Sequence, residues 1–215
     1  MSDCCSPKGY RWVFSERNAR GEAKRYRRKG LDGTSREIVD YLKSQGVAGQ
    51  TVLEVGGGIG AVQIELLKAG AESAVSVELT PTYEEVATGL LEDARMRDRV
   101  RRLVTDFVEA ASGVESADVV VLNRVLCCYH DMPRLAGAAA DHTRRLLVLS
   151  YPRRTWWTVA SFAVFNWFLA VFGRQFHIFV HRPKEIIATA REHGLEPVLD
   201  QPGAFWTVAA LRRIA

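Results

Sequence analysis

The stretch Val52-Leu53-Glu54-Val55-Gly56-Gly57-Gly58-Ile59-Gly60 decides the architecture. Its first half is apolar and β-branched, short enough for a buried strand. The glycines that follow let the chain turn sharply and bring bare backbone against a ligand. From about Gly60 to Lys68 the pattern is helical, and the N–H groups of the first turn point back at the strand end. Strand, glycine turn and helix in this order open a βαβ unit.

Working outward, strands and helices alternate. Ala74–Leu79 reads as a second strand, Tyr83–Asp93 as a helix begun near Pro81, and Val100–Thr105 as a third strand. Asp118–Leu122 is a fourth, apolar throughout; Pro133–His142 is helical and Arg145–Ser150 is a fifth strand. This alternation predicts a parallel sheet. After a helix over Pro183–His193, strands at Leu195–Leu199 and Phe205–Leu211 are joined by a Pro202-Gly203 turn. So short a turn makes that last pair antiparallel. The expected fold is therefore α/β, with one reversed strand near the C-terminus.

Upstream, residues 10–29 are polar, charged and helical in pattern, and Gly30-Leu31-Asp32-Gly33 breaks them. Thr34 or Ser35 caps a second helix whose apolar face is Ile38, Val39 and Leu42. The sequence thus divides into a basic helical extension over 1–33 and an α/β domain over 34–215. No apolar leader follows Met1, so a cytoplasmic setting is the expectation.

The chain carries a net charge of +4, unevenly placed: residues 1–50 hold 11 Lys/Arg against 6 Asp/Glu, and the rest 18 against 19. The run Lys24-Arg25-Tyr26-Arg27-Arg28-Lys29 reads first as a solvated helix face. An anionic acceptor or an acidic membrane surface are the alternatives, and nucleic acid is not expected as a partner. The cysteines form two adjacent pairs, Cys4-Cys5 and Cys127-Cys128, without zinc-site spacing. They read as free thiols, with a soft-metal site as the sharper alternative, and no metal is assigned.

Two acidic residues flank the glycine turn. Glu54 precedes the first glycine by two positions, and Glu78 ends the second strand. A carboxylate at that sheet edge suits the hydroxyls of a ribose. Gly56-Gly57-Gly58-Ile59-Gly60-Ala61 also satisfies the loose pattern of NAD(P)-binding enzymes, which keeps an oxidoreductase open. Against it, Glu54 suits a cationic ligand and would repel a pyrophosphate. The closing reversed hairpin is also unlike a doubled dinucleotide half.

Glu54-Val55-Gly56-Gly57-Gly58-Ile59-Gly60 resembles the first motif of class I S-adenosylmethionine-dependent methyltransferases, E/D-x-G-x-G-x-G. The resemblance covers roughly residues 30–215. It implies a Rossmann-like, seven-stranded, mostly parallel sheet with helices on both faces, and S-adenosyl-L-methionine as cofactor. By that likeness Gly56, Gly58 and Gly60 line the methionine part, with Glu54 near its amino group. Glu78, with Leu79 beside it, binds the ribose. Asp106 takes the adenine amino group, Phe107 packs on the ring, and Asn123 closes the fourth strand beside the cofactor. The implied partner is a small methyl acceptor, with the oligomeric state left open. A third reading is a cofactor-binding or thiol-metal sensor without turnover.

Candidates for chemistry follow the fourth strand. Tyr129 is placed to orient an acceptor, and His130, as an imidazole, to take a proton. Asp131 caps the next helix. His177 and His181 read as strand or loop residues rather than ligands. The insertion over 153–181 contains Thr155–Gly173, which is uncharged and rich in tryptophan and phenylalanine. A cap over the acceptor is the favoured reading; contact of 155–173 with a membrane surface and a true span are the others. So apolar a cap fits a bulky, flat acceptor. The layout loosely resembles magnesium-protoporphyrin O-methyltransferases, but no motif specifies a substrate.

Overall fold

A computed structural model describes residue 10 and residues 13–173 and 176–214. Cys4 and Cys5 lie outside the described residues. The elements are α1 (Glu16–Lys29), α2 (Gly33–Ser44), β1 (Thr51–Val55), α3 (Ala61–Lys68), β2 (Ser73–Glu78), α4 (Glu84–Asp93) and β3 (Val100–Val104). Then come the short α5 (Phe107–Ala110), β4 (Ala117–Asn123), α6 (Met132–Asp141), β5 (Thr143–Pro152), α7 (Trp156–Val171), α8 (Pro183–Glu192), β6 (Leu195–Pro202) and β7 (Trp206–Arg213).

The seven strands lie in the order β3-β2-β1-β4-β5-β7-β6. All neighbours through β5 are parallel, and β7 runs antiparallel to both β5 and β6. The single reversed strand expected from the Pro202-Gly203 turn is therefore present. Between β1 and β4 the winding direction reverses, and open α/β sheets bind ligands at the strand ends there.

Strand periodicity places the core. Alternate residues Val119 and Val121 of β4 join one apolar cluster, with Ile38 and Leu42 of α2, Leu66 of α3 and Leu91 of α4. Val120 and Leu122 join the other, with Leu135 and Ala139 of α6 and Ile186 of α8. Successive side chains point to opposite faces, so an unbroken apolar strand feeds two layers at once.

Two boundaries differ informatively from the sequence reading. The first long helix starts at Glu16 rather than near residue 10, because the Ser15 side chain accepts from the Asn18 N–H and caps it. That helix packs on the domain: Ala19 and Ala23 are buried in the same cluster as Val52. Two small residues four apart give the otherwise charged α1 one narrow face that sits close on the domain.

Candidate active site

A cavity of about 310 Å³ opens at the carboxyl ends of β1, β2 and β4, a size suited to a small ligand. Its floor is the glycine turn. Gly56, Gly58 and Gly60 all have positive φ, at 66°, 57° and 75°. At Gly56 a Cβ would also stand 2.7 Å from Val125 Cγ2, and at Gly57 it would stand 2.5 Å from Glu54 Cδ. Side chains there would be strained at Gly56 and would fill the cradle at both positions.

Glu78 ties that turn to the next strand. Its Oε2 accepts from the Gly58 N–H at 2.7 Å and its Oε1 from the Leu79 N–H at 3.2 Å. Burial pushes its carboxyl above the usual range, while those backbone donors and Arg102 pull the other way.

Glu54 is fully buried, and its Oε2 has no hydrogen-bond partner. Burial raises its pKa to about 8, opposed by Arg102 and the Gln63 N–H and reinforced by Glu78. The Gln63 amide, which is also buried beneath the turn, is likewise unpartnered. Orphaned polar atoms under a glycine cradle leave hydrogen-bonding capacity that a polar ligand can take up.

On the far side, Asp106 caps α5, its Oδ1 accepting from the Val108 N–H at 2.9 Å. The Tyr129 hydroxyl reaches both Asp106 carboxylate oxygens at 3.3 Å. Burial, and then Asp106, push the Tyr129 phenol well above its ordinary range. Phe107 lines the cavity while its ring meets His142 edge-on, with centroids 5.3 Å apart. Asn123, at the end of β4, donates to Ser35 Oγ at 3.0 Å and accepts from Ser150 Oγ at 2.8 Å.

The cavity thus gathers Glu54, Gly56, Gly58, Glu78, Leu79, Asp106, Phe107, Asn123 and Tyr129 along one wall system. Gly60 stands one step back, as the left-handed N-cap of α3. His130 is exposed and stacks on Tyr129, outside the cavity lining. His181 bonds the Tyr129 carbonyl and His177 bonds Asn166, so both serve the loop rather than the cavity. Cys127 is buried, with its Sγ 3.6 Å from that of Cys128.

Several site residues have no sequence signal. Arg102, whose side chain is 3% exposed, pairs with Glu84 at 2.7 Å and donates to the Gly58 carbonyl at 3.3 Å. Arg124 follows β4 with φ at 62°, a conformation rare outside glycine. It pairs with Asp32 at 2.7 Å and lies over the Trp206 ring. From α1, Glu22 faces the cavity and accepts from the Tyr83 hydroxyl at 3.1 Å. Desolvation raises the Glu22 carboxyl, against Tyr83, Arg25 and Arg124.

Residues 22–200 match the family described as "Methyltransferase domain", and the chain belongs to it. It is an S-adenosylmethionine-dependent methyltransferase of class I fold. No curated protein matches the sequence. Among solved structures it is similar to magnesium protoporphyrin IX methyltransferase from Synechocystis PCC 6803, with 17% identity, 95% of this chain and 100% of that one covered, and a TM-score of 0.72. An O-methyltransferase family protein from Burkholderia thailandensis shares 20% identity at a TM-score of 0.69, over 94% of this chain and 64% of that one. An O-methyltransferase family 2 protein from Planctomyces limnophilus, solved with apigenin, shares 19% at 0.68, over 93% and 62%.

Proposed function

We propose that this enzyme transfers a methyl group from S-adenosylmethionine to a small acceptor with a flat or apolar body. One observation carries the reading: beside the glycine turn and its acids, the cavity is lined by the apolar and aromatic side chains of Tyr10, Phe14, Leu31, Val125 and Tyr129, and Glu22 lines it next to Gly58. Such a lining takes an apolar body, and Glu22 is a lining carboxylate to which the cofactor reading gives no role.

Glu54, the Gly56–Gly58 backbone, Glu78 and Asp106 would hold the cofactor. When bound, the cofactor supplies an electrophilic methyl carbon on a cationic sulfur, whose bond electrons return to sulfur as the acceptor attacks. The chain's own part is placement and exclusion of water, and placement accounts for on the order of 7–11 kcal/mol in the best intramolecular cases. Glu22 is the group we assign to receive the proton from an O–H or N–H acceptor. Tyr129 keeps its own proton and orients Asp106 through the hydroxyl contact.

The test is incubation with isotopically labelled S-adenosylmethionine and a cell extract, followed by mass spectrometry of both the small-molecule and macromolecular fractions. Label in a low-mass, organic-soluble product is the expected result. Label confined to protein or nucleic acid would overturn the acceptor class.

A further inference from the structure

We propose that α7 seats the enzyme on an anionic bilayer surface and that the acceptor reaches the cavity from that surface; the second half rests on the functional reading above, the first does not. Between Thr155 and Gly173 there is no charged residue. Within the helix only Thr158 and Leu169 are buried. Trp156 is 84% exposed, Val164 65% and Trp167 64%, and Phe168, Val171 and Phe172 extend the same surface. Soluble surfaces rarely leave so large a contiguous apolar area open to water. No helix among the described residues is long and apolar enough to cross a membrane. The helix therefore lies on an interface, one side held by the protein and the other open to lipid.

Charge selects the occupant. Arg153 and Arg154 are exposed at the helix entrance. The Arg153 N–H bonds the Phe205 carbonyl, and the exposed Phe205 ring meets Trp157 edge-on at 4.7 Å. Next to Phe205, Trp206 lies under Arg124, which pairs with Asp32; Asp32 also meets Arg25 of α1 at 3.5 Å. Arg25 and Arg124 share Asp32 and Arg27 pairs with Asp93 of α4, so the basic border of the aromatic helix is the exposed Arg153-Arg154 pair. A second copy docked two-fold on this face would oppose like charges to like. An anionic lipid surface accepts both the apolar helix and its basic border.

The buried side of α7 rests against the cavity wall. Leu169, the buried anchor of α7, packs in one cluster with Tyr10, Phe14 and Leu79, all of which line the cavity. Seating α7 on lipid would therefore hold the cavity wall one helix away from a surface that can supply an apolar acceptor.

The experiment is flotation of the full-length enzyme with phosphatidylcholine vesicles, with and without phosphatidylglycerol, read together with tryptophan emission. Flotation with the anionic vesicles and a blue shift are expected, with weaker association to phosphatidylcholine alone. Trp167→Ser and Phe168→Ser, at exposed positions, should each weaken association by about tenfold with an unchanged melting temperature. Arg154→Glu should remove the preference for anionic lipid. No flotation, flotation untouched by these variants, or a concentration-dependent dimer in light scattering that buries the tryptophans would each overturn the proposal. Flotation involves no turnover, so an enzyme that floats yet methylates no small molecule sinks the acceptor reading and leaves the docking face standing.

Discussion

The Glu78 carboxylate accepts a 2.7 Å hydrogen bond from the Gly58 N–H, so the acid at the end of β2 itself shapes the turn proposed to carry the cofactor. A charged acceptor on a backbone donor contributes about 1.5–3 kcal/mol. On the proposed cofactor reading, Glu78→Ala should relax the glycine turn and remove the proposed ribose ligand together. Calorimetry should show cofactor affinity falling at least about tenfold. Unchanged affinity would refute the ribose role, whatever happens to stability.

Arg102 supports the same turn from beneath. It joins Glu84, Ser76 Oγ and the Gly58 carbonyl while almost fully buried. Arg102→Met leaves Glu84 without its partner and Gly58 without its donor. The expected loss is on the order of 3 kcal/mol, because breaking one half of a buried pair strands the other. Chemical denaturation measures it, and a loss under about 1 kcal/mol would mean that solvent already screens the pair.

The division between legible and illegible residues has a physical basis. β4 was readable because Val119–Leu122 is apolar at every position, and only a strand covered on both faces tolerates that. The glycine turn was readable because strand, glycines and helix are adjacent in sequence. Glu22, Arg102 and Arg124 were not. Each meets its partner across a long gap, as when Arg124 reaches Asp32 or Glu22 receives Tyr83. Glu22 also lies beside a basic run that has every local property of a solvated helix face. Its position over the cavity follows from Ala19 and Ala23 packing on the domain, a tertiary fact with only a faint small-residue signal. His130 shows the converse: a titratable residue two positions past the Cys pair, yet turned to solvent.

Glu54 gives a pH test. Its carboxyl, with a pKa near 8 when folded, has an ordinary value of 4.5. Between those values the folded state holds a proton that the unfolded chain has released, so stability falls as pH rises from about 4.5 to 8. Glu54→Gln removes that slope, and melting temperatures across this window should become flatter in the variant. A cationic ligand favours the ionised carboxylate, so wild-type cofactor affinity should climb with pH toward 8 and that of the variant should not. Identical pH profiles for the two proteins would show that Glu54 does not meet the cofactor's positive charge.

Glu22 and Tyr129 separate proton transfer from positioning. Glu22 faces the cavity with a raised carboxyl pKa and one hydrogen bond from Tyr83. Tyr129 is held protonated by burial and by Asp106. With an O–H or N–H acceptor, Glu22→Gln should lower kcat by about 10²-fold or more, the usual contribution of a placed base, with the cofactor KM nearly unchanged. In the wild type, kcat/KM should rise with pH as Glu22 ionises, above the ordinary carboxylate range, and the variant should lose that limb. Tyr129→Phe should instead raise the cofactor KM several-fold by freeing Asp106, while leaving the pH profile in place. A Glu22→Gln enzyme with full kcat and an intact acid limb would remove Glu22 from the proton path and leave water as the acceptor of any proton released.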